Sequence, residues 1–442
     1  MNFSDLCIRL LDGRAKLAVI GLGYVGLPIA YEFAKHVSVI GYDVDKEKVA
    51  AYQDGIDAEG KCAGSLRSVS IDYTSDPARL KEASLMIVTV QTPVGEDQRP
   101  DLSPLREASR TVGENLAAGA IVVFESTVYP GVTQDVCVPI IEKASGLTCG
   151  VDWKVGYSPE RINPGDHVHT LTSIQKVVSG QDAETAREIQ KIYNLIIDAG
   201  TFLVSDIRTA EAVKVVENSQ RDINIAFMNE VAIICDKLNI DTAEVLAGMN
   251  TKWNALGFRP GLVGGHCISV DPYYLTYAAE KAGCDCPVIH AGRLMNDRMG
   301  AYIADAAMRE MSAAGIPPQT ATVIVMGFTF KENWPDIRNS RVMDIIKRLR
   351  EHSIAPVVTD PIALPQAVEA EYGVVLTSPD ALPKADCLIV AVGHRAYRAM
   401  TMAQLKNMFK PNSPDAQKIL VDVKSIYGTA ELQASGMRFW RL

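Results

Sequence analysis

Residues 16–28 read KLAVIGLGYVGLP, an apolar strand that runs into G-x-G-x-x-G and on into a helical pattern. Each glycine has a separate task in such a turn. Gly21 allows the tight bend, Gly23 lets a backbone approach a pyrophosphate, and Gly26 permits close packing of the helix whose N-terminal N–H groups face the anion. Tyr24 and Val25 fill the places between the glycines and count with them as candidate cofactor contacts. Asp43 follows at the end of the next apolar run, VSVIGYD, 22 residues after Gly21. A carboxylate there bonds ribose hydroxyls and repels a 2′-phosphate, so NAD is favoured over NADP. Lys48 and Thr92 join the candidates for this site.

Around this unit the apolar runs recur. KLAVIG, VSVIGYD, SLMIVTVQ, AIVVFEST and KVGYS alternate with helical stretches over the first 200 residues. That alternation predicts a mostly parallel sheet with helices on both faces. From Thr209 to Leu238 the period changes to that of one long helix uninterrupted by proline, with Ala212, Val215, Val216, Ile223, Ala226, Phe227 and Val231 at helical steps. GIPP at 315–318 marks a boundary, and TVIVMGFTF, APVVTDP, DCLIVAVGH and KILVDVKS then resume the β/α alternation without a second glycine fingerprint. The expected fold is α/β: two doubly wound Rossmann-like domains, 1–206 and 315–442, joined by a central helical domain, 207–314, with a long spine helix.

Composition narrows the function classes. A chain of 442 residues, 48% hydrophobic, exceeds what one core holds. A net charge of -9 argues against a nucleic-acid or anionic-membrane surface, and no run of about 18 apolar residues suggests a membrane span. The nine cysteines are scattered without framework spacing, and residues 1–16, MNFSDLCIRLLDGRAK, lack the features of a secretory signal. A cytoplasmic protein with reduced thiols is expected. Cys284 and Cys286 form C-x-C and His167 and His169 form H-x-H, but neither has a second ligand pair at zinc spacing, so no metal is expected.

The reactive chemistry centres on residues 264–271, GGHCISVD, where Cys267 follows two glycines and precedes Asp271 by four residues. A cysteine so presented has the look of a nucleophile, and beside a dinucleotide fold it suggests oxidation through a covalent intermediate. Lys214, Asn218 and Arg221 share one face of the long helix, where a cation and an amide suit an oxyanion.

Six strings carry a likeness over the whole length: GLGYVGLP, ESTVYPG, YSPERINPGD, AEAVKVVENSQRDINIAFMNE, FRPGLVGGHCISVDPYYL and GFTFKENWPDIRNS. Together they resemble the UDP-glucose/GDP-mannose dehydrogenase family, most closely the branch that oxidises UDP-N-acetylhexosamines. The resemblance implies an NAD-dependent four-electron oxidation of a C6 alcohol to an acid for surface-polysaccharide synthesis, and a dimer built around the long helix. It implies Cys267 as the nucleophile, Lys214 and Asn218 at the reacting oxygen, and Asp271, Glu160 and Thr127 around the hydrolytic water. Thr127 also counts among the cofactor contacts, with Arg338 reaching from the C-terminal domain. Substrate contacts are expected from Glu160, Arg161, Lys214, Asn218, Arg221, Arg259, Gly264 and Lys331. Val270 stands where the glucose enzymes usually have lysine, and the stretch after Glu160 lacks their second acid, which favours an N-acetylhexosamine over the alternative, UDP-glucose. A single-step hydroxy-acid dehydrogenase would have no use for Cys267, and a non-catalytic nucleotide-sugar binder none for the whole set.

Overall fold

The computed structural model describes residues 3–57, 62, 64–95, 97–162, 166 and 168–442. These divide into two compact units, one of residues 1–217 and 273–285, the other of 218–272 and 286–442.

In the first unit eight strands form one sheet: β1 Lys16–Ile20, β2 Val39–Tyr42, β3 Ile71–Thr74, β4 Ala83–Val88, β5 Ile121–Phe124, β6 Lys154–Tyr157, β7 Lys176–Gly180 and β8 Thr201–Leu203. Their spatial order is β3-β2-β1-β4-β5-β6-β7-β8, parallel throughout except for the antiparallel β6–β7 pair. The central strands are apolar on both faces because helices cover both, and Leu17, Val19, Leu85, Ile87, Ile121 and Val123 enter one continuous core. The order reverses between β1 and β4, which places a crevice beyond the carboxyl ends of those strands. Beyond the five apolar runs read from the sequence, the sheet adds β3, β7 and β8, short segments whose polar residues hide their strand character.

The second unit carries a five-stranded parallel sheet ordered β10-β9-β11-β12-β13, built from β9 Val323–Met326, β10 Val357–Thr359, β11 Cys387–Val390, β12 Ile419–Asp422 and β13 Arg438–Arg441. Four of these are the apolar runs of the last third. The fifth, RFWR, is an edge strand, paired only with β12, and its two arginines mask it in a hydropathy reading.

The long helix runs Ile207–Leu238. Its sides are mixed rather than cleanly amphipathic. Glu211, Lys214, Asn218, Asp222 and Asn229 are buried along one side, whereas Val216, Phe227, Ile234 and Leu238 are each at least half exposed. Buried polar groups require partners, and these have them: Glu211 accepts the amides of Gly131 and Thr133, and Asp222 pairs with Arg293 at 2.6 Å. The helix therefore buries a row of polar residues and leaves several large apolar ones exposed. Among the described residues no helix is long and apolar enough to cross a membrane.

Candidate active site

The cofactor turn follows β1. Gly21 has φ +93°, a left-handed conformation that favours glycine, and its amide donates to the Tyr42 carbonyl at 2.8 Å. A Cβ on Gly26 would lie 1.9 Å from the Gly21 carbonyl oxygen and 2.4 Å from Thr89 Oγ1, so the helix Gly26–Phe33 closes on the strand only because that Cβ is missing. A Cβ on Gly23 would meet nothing within 4 Å. Open space over Gly23 with no room at Gly26 is the arrangement a pyrophosphate cradle needs. Asp43 is buried, its Oδ2 accepting the Leu22 amide at 2.8 Å and facing Lys48 Nζ at 3.2 Å. Tyr24 and Val25 are half-buried in the turn. Thr92 Oγ1 donates to the Thr127 carbonyl at 2.7 Å, and Tyr274 caps Thr92 through its carbonyl, also at 2.7 Å, so the ends of β4 and β5 are tied together. Thr89, which bonds the Gly21 carbonyl at 2.6 Å, escaped the sequence reading because a threonine at a strand end carries no motif.

In the same unit, Lys214 Nζ donates to the Glu160 carbonyl at 2.7 Å, and both side chains are buried. Arg161 pairs with Glu217 at 3.0 Å and donates to the Gln175 carbonyl at 2.8 Å. The Glu160 carboxylate accepts the Ile162 amide through Oε1, while Oε2 is buried without a hydrogen bond, 3.9 Å from Lys176. The stretch that departs from the glucose pattern continues through Asn163, Pro164 and Gly165, which with His167 lie outside the described residues.

The second unit holds the cysteine loop. Gly265 has φ +83°, and a Cβ on it would press on the Phe330 ring at 2.8 Å; one on Gly264 would meet the Asn339 carbonyl at 2.6 Å. Two glycines are needed there for the loop to lie flat against residues 330–339. Asn339 Nδ2 donates to Ser269 Oγ at 2.8 Å and to the Gly265 carbonyl at 3.2 Å, bracing the loop on both sides of Cys267. The Cys267 carbonyl accepts the amides of Val270 and Asp271, so the thiol sits on the turn that leads into the helix Asp271–Lys281. Asp271 is buried and accepts from Asn218 Nδ2, while Arg221 donates to Asn218 Oδ1. The amide that the sequence reading assigned to the reacting oxygen is thus fixed between an acid and a cation. His266 is pushed down to about 4 by its burial and then by the Arg338 charge, so it is neutral at neutral pH. Arg338 forks onto Asp336, at 2.9 Å and 3.1 Å from Nε. Lys331 is half-buried, its carbonyl accepting Thr329 Oγ1 at 2.9 Å, and Arg259 is exposed ahead of the cysteine loop. Among the described residues no cluster of His, Cys, Asp and Glu has the makings of a metal site.

Three models of the UDP-glucose/GDP-mannose dehydrogenase family match in chain order: the NAD binding domain at 15–197, the central domain at 208–298 and the UDP binding domain at 324–429. The chain belongs to that family. NAD is accordingly its cofactor, and the glycine turn with Asp43 has the form to hold it. Among UDP-glucose/GDP-mannose dehydrogenase relatives, a Salmonella typhi protein named UDP-N-acetyl-D-glucosamine 6-dehydrogenase is 46% identical over 415 residues, 93% of this chain and 96% of its own. Staphylococcus aureus protein CapL is 46% identical over 427 residues, covering 96% and 99% of the two chains. Among solved structures, a UDP-D-ManNAc dehydrogenase of Pyrococcus horikoshii superposes with a TM-score of 0.84 at 29% identity, over 96% of this chain and 98% of that one.

Proposed function

We infer that the chain oxidises the C6 alcohol of a UDP-N-acetylhexosamine, UDP-GlcNAc or UDP-GalNAc, to the uronic acid in two two-electron steps, for surface-polysaccharide synthesis. The observation that carries the four-electron course is the loop 264–271, which offers Cys267 on a braced turn with Asp271 four residues on. The substrate class follows the relatives named UDP-N-acetyl-D-glucosamine 6-dehydrogenase.

NAD, when bound, accepts a hydride at each of the two oxidations. The chain's own groups do the rest. Lys214 and Asn218, one helical turn apart, offer an ammonium and an amide to the oxygen on C6 as negative charge develops there. Cys267 Sγ adds to the aldehyde carbon while the carbonyl oxygen takes up a proton, giving a thiohemiacetal. After the second oxidation that carbon is held as a thioester. Water adds to it, loses a proton to the carboxylate set of Asp271 and Glu160 with Thr127 orienting it, and expels the Cys267 sulfur as the carboxylate forms. Lys331 supplies a point charge for the diphosphate, Arg259 a further cation, and Arg338 a fork toward the cofactor.

The exposed apolar residues of the long helix belong to the same reading. Phe227, Ile234 and Leu238 lie exposed on it, and Trp253 is 91% exposed in the loop beyond, an apolar surface suited to a second copy of this chain. Nine cysteines with no disulfide among the described residues suit a cytoplasmic location.

The test is the count of NADH formed per substrate consumed, with UDP-N-acetylglucosamine, UDP-N-acetylgalactosamine and UDP-glucose in parallel. Two NADH with an acetylated sugar are expected; one NADH, or turnover of UDP-glucose alone, would refute the reading. Cys267→Ser should lower acid formation by on the order of a thousandfold. Light scattering at micromolar concentration should give twice the 48.0 kDa chain mass.

A further inference from the structure

Behind Glu160 lies a set of buried ionisable groups to which the reaction as described gives no work. Lys176, the first residue of β7, is 3% exposed, and its Nζ donates to Glu125 Oε2 at 2.6 Å and to the Pro159 carbonyl at 3.2 Å. Glu125 follows β5 and is 1% exposed; its other oxygen accepts the hydroxyl of the fully buried Tyr193, at the end of the helix Ala183–Tyr193. The same ammonium faces Glu160 Oε2 at 3.9 Å and lies over the Tyr193 ring at 5.3 Å. Two carboxylates therefore share one buried lysine. Burial pushes Glu125 up, Lys176 opposes that, and the Glu160 charge adds to it.

This arrangement is costly. A buried lysine and two buried acids are retained only where their geometry is fully satisfied or put to use, since an apolar set of equal volume is often as stable. The satisfaction here is one-sided: Glu125 has both oxygens bonded, whereas Glu160 Oε2 has no hydrogen bond. The backbone is gripped as well, because Lys176 holds the Pro159 carbonyl and Lys214 holds the next one, that of Glu160.

We propose that Lys176 is a positioning residue for Glu160, fixing the 158–160 loop through Pro159 and setting its ammonium against the Glu160 carboxylate for thioester hydrolysis, with Glu125 and Tyr193 as its anchor. The inference rests on the reading of Glu160 as part of the hydrolytic set. Among the described residues of this unit the charged and titratable groups around Glu160 include Lys176 from β7, Glu125 after β5, Tyr193 from its helix, and Lys214 and the Arg161–Glu217 pair from the long helix and the loop. Taking away the ammonium leaves two acids facing each other; taking away the Glu125 charge leaves the ammonium to Glu160 alone. The two changes act in opposite directions.

The experiment measures the pH profile of turnover and, by intact-protein mass, the fraction of enzyme trapped as the Cys267 acyl adduct. Lys176→Met should move the acid limb of turnover up by on the order of one pH unit and raise the trapped fraction, and Lys176→Arg should restore most of both. Glu125→Gln, close in shape, should move the limb down. A uniform loss of turnover at every pH, or movement of both variants in one direction, would reduce Lys176 to scaffolding and overturn the proposal. Should Lys176→Met fail to fold, Glu125→Gln decides alone, an unmoved limb being the refuting result. Glu160→Gln separates the two layers. If it traps adduct while the Lys176 and Glu125 variants behave as wild type, the positioning role is wrong and the reading of Glu160 stands; if it turns over normally, that reading is what fails.

Discussion

The two Rossmann-like sheets begin with the same turn and put it to different uses. After β1, Gly21 at φ +93° donates to the Tyr42 carbonyl at 2.8 Å, and Leu22 donates to Asp43 at the end of β2, again at 2.8 Å. After β9, Gly327 at φ +98° donates to the Thr359 carbonyl at 2.8 Å, and Phe328 donates to Asp360 at the end of β10, at 2.6 Å. The likeness ends two residues later. Where the first turn has Gly23 with open space over it, the second has Thr329, fully buried and bonded to His394 at 3.2 Å. Asp43 keeps a cation within reach at its rim, whereas Asp360 is consumed by the amides of Phe328, Thr329, Ile362 and Ala363 and by His394. One turn is left open for a ligand, and the other is filled by the protein itself.

The largest expected effect comes from closing the open turn. Gly26→Val would drive a side chain into the Gly21 carbonyl, and NAD affinity should fall more than about a hundredfold in a fluorescence titration, since the helix must move off the strand. Valine-tolerant binding would mean that the turn is not the cradle.

Next in size is Asp360→Asn, which should leave NAD affinity alone and cost on the order of 2–4 kcal/mol in a urea unfolding curve, because a saturated carboxylate with its side chain buried loses its charge. The same group sets a pH dependence. His394 and the surrounding amides outweigh its burial and hold it down at about 2, below its unfolded value near ~4. Its contribution is therefore fully present above about pH 4 and is lost as pH falls from there through about 2, a loss that Asp360→Asn should abolish.

Asp43→Asn should do the reverse, leaving the unfolding curve within about 1 kcal/mol of wild type while raising KM for NAD by roughly tenfold and narrowing the preference over NADP. The smallest effect is expected for Lys48→Ala. Its ion pair with Asp43 is one-third exposed on the lysine side, so KM for NAD should change by less than about threefold, and a larger change would make Lys48 a direct ligand.

The cofactor turn, the long helix and the cysteine loop were legible because each is local: glycines at fixed offsets, a run of helical period, a thiol beside two glycines. β3, β7, β8 and β13 were not, since short strands with polar or arginine side chains owe their state to neighbours far along the chain. The long helix lies between these cases. Its period could be read, but not which side is buried, since Lys214 and Asn218 are inside while Phe227 and Ile234 are out.

By itself the sequence determined the class of fold and the cofactor, because those depend on backbone permissions and side-chain types counted along the chain. Only the tertiary structure decided that Thr329 fills the second turn where the space over Gly23 is open, that Asn218 sits between Asp271 and Arg221, and that Lys176 and Glu125 stand behind Glu160. The reason is that desolvation and Coulomb energies depend on distances through space, and residues 125, 160, 176 and 193 become neighbours only when β5, β6 and β7 line up and a helix packs against them.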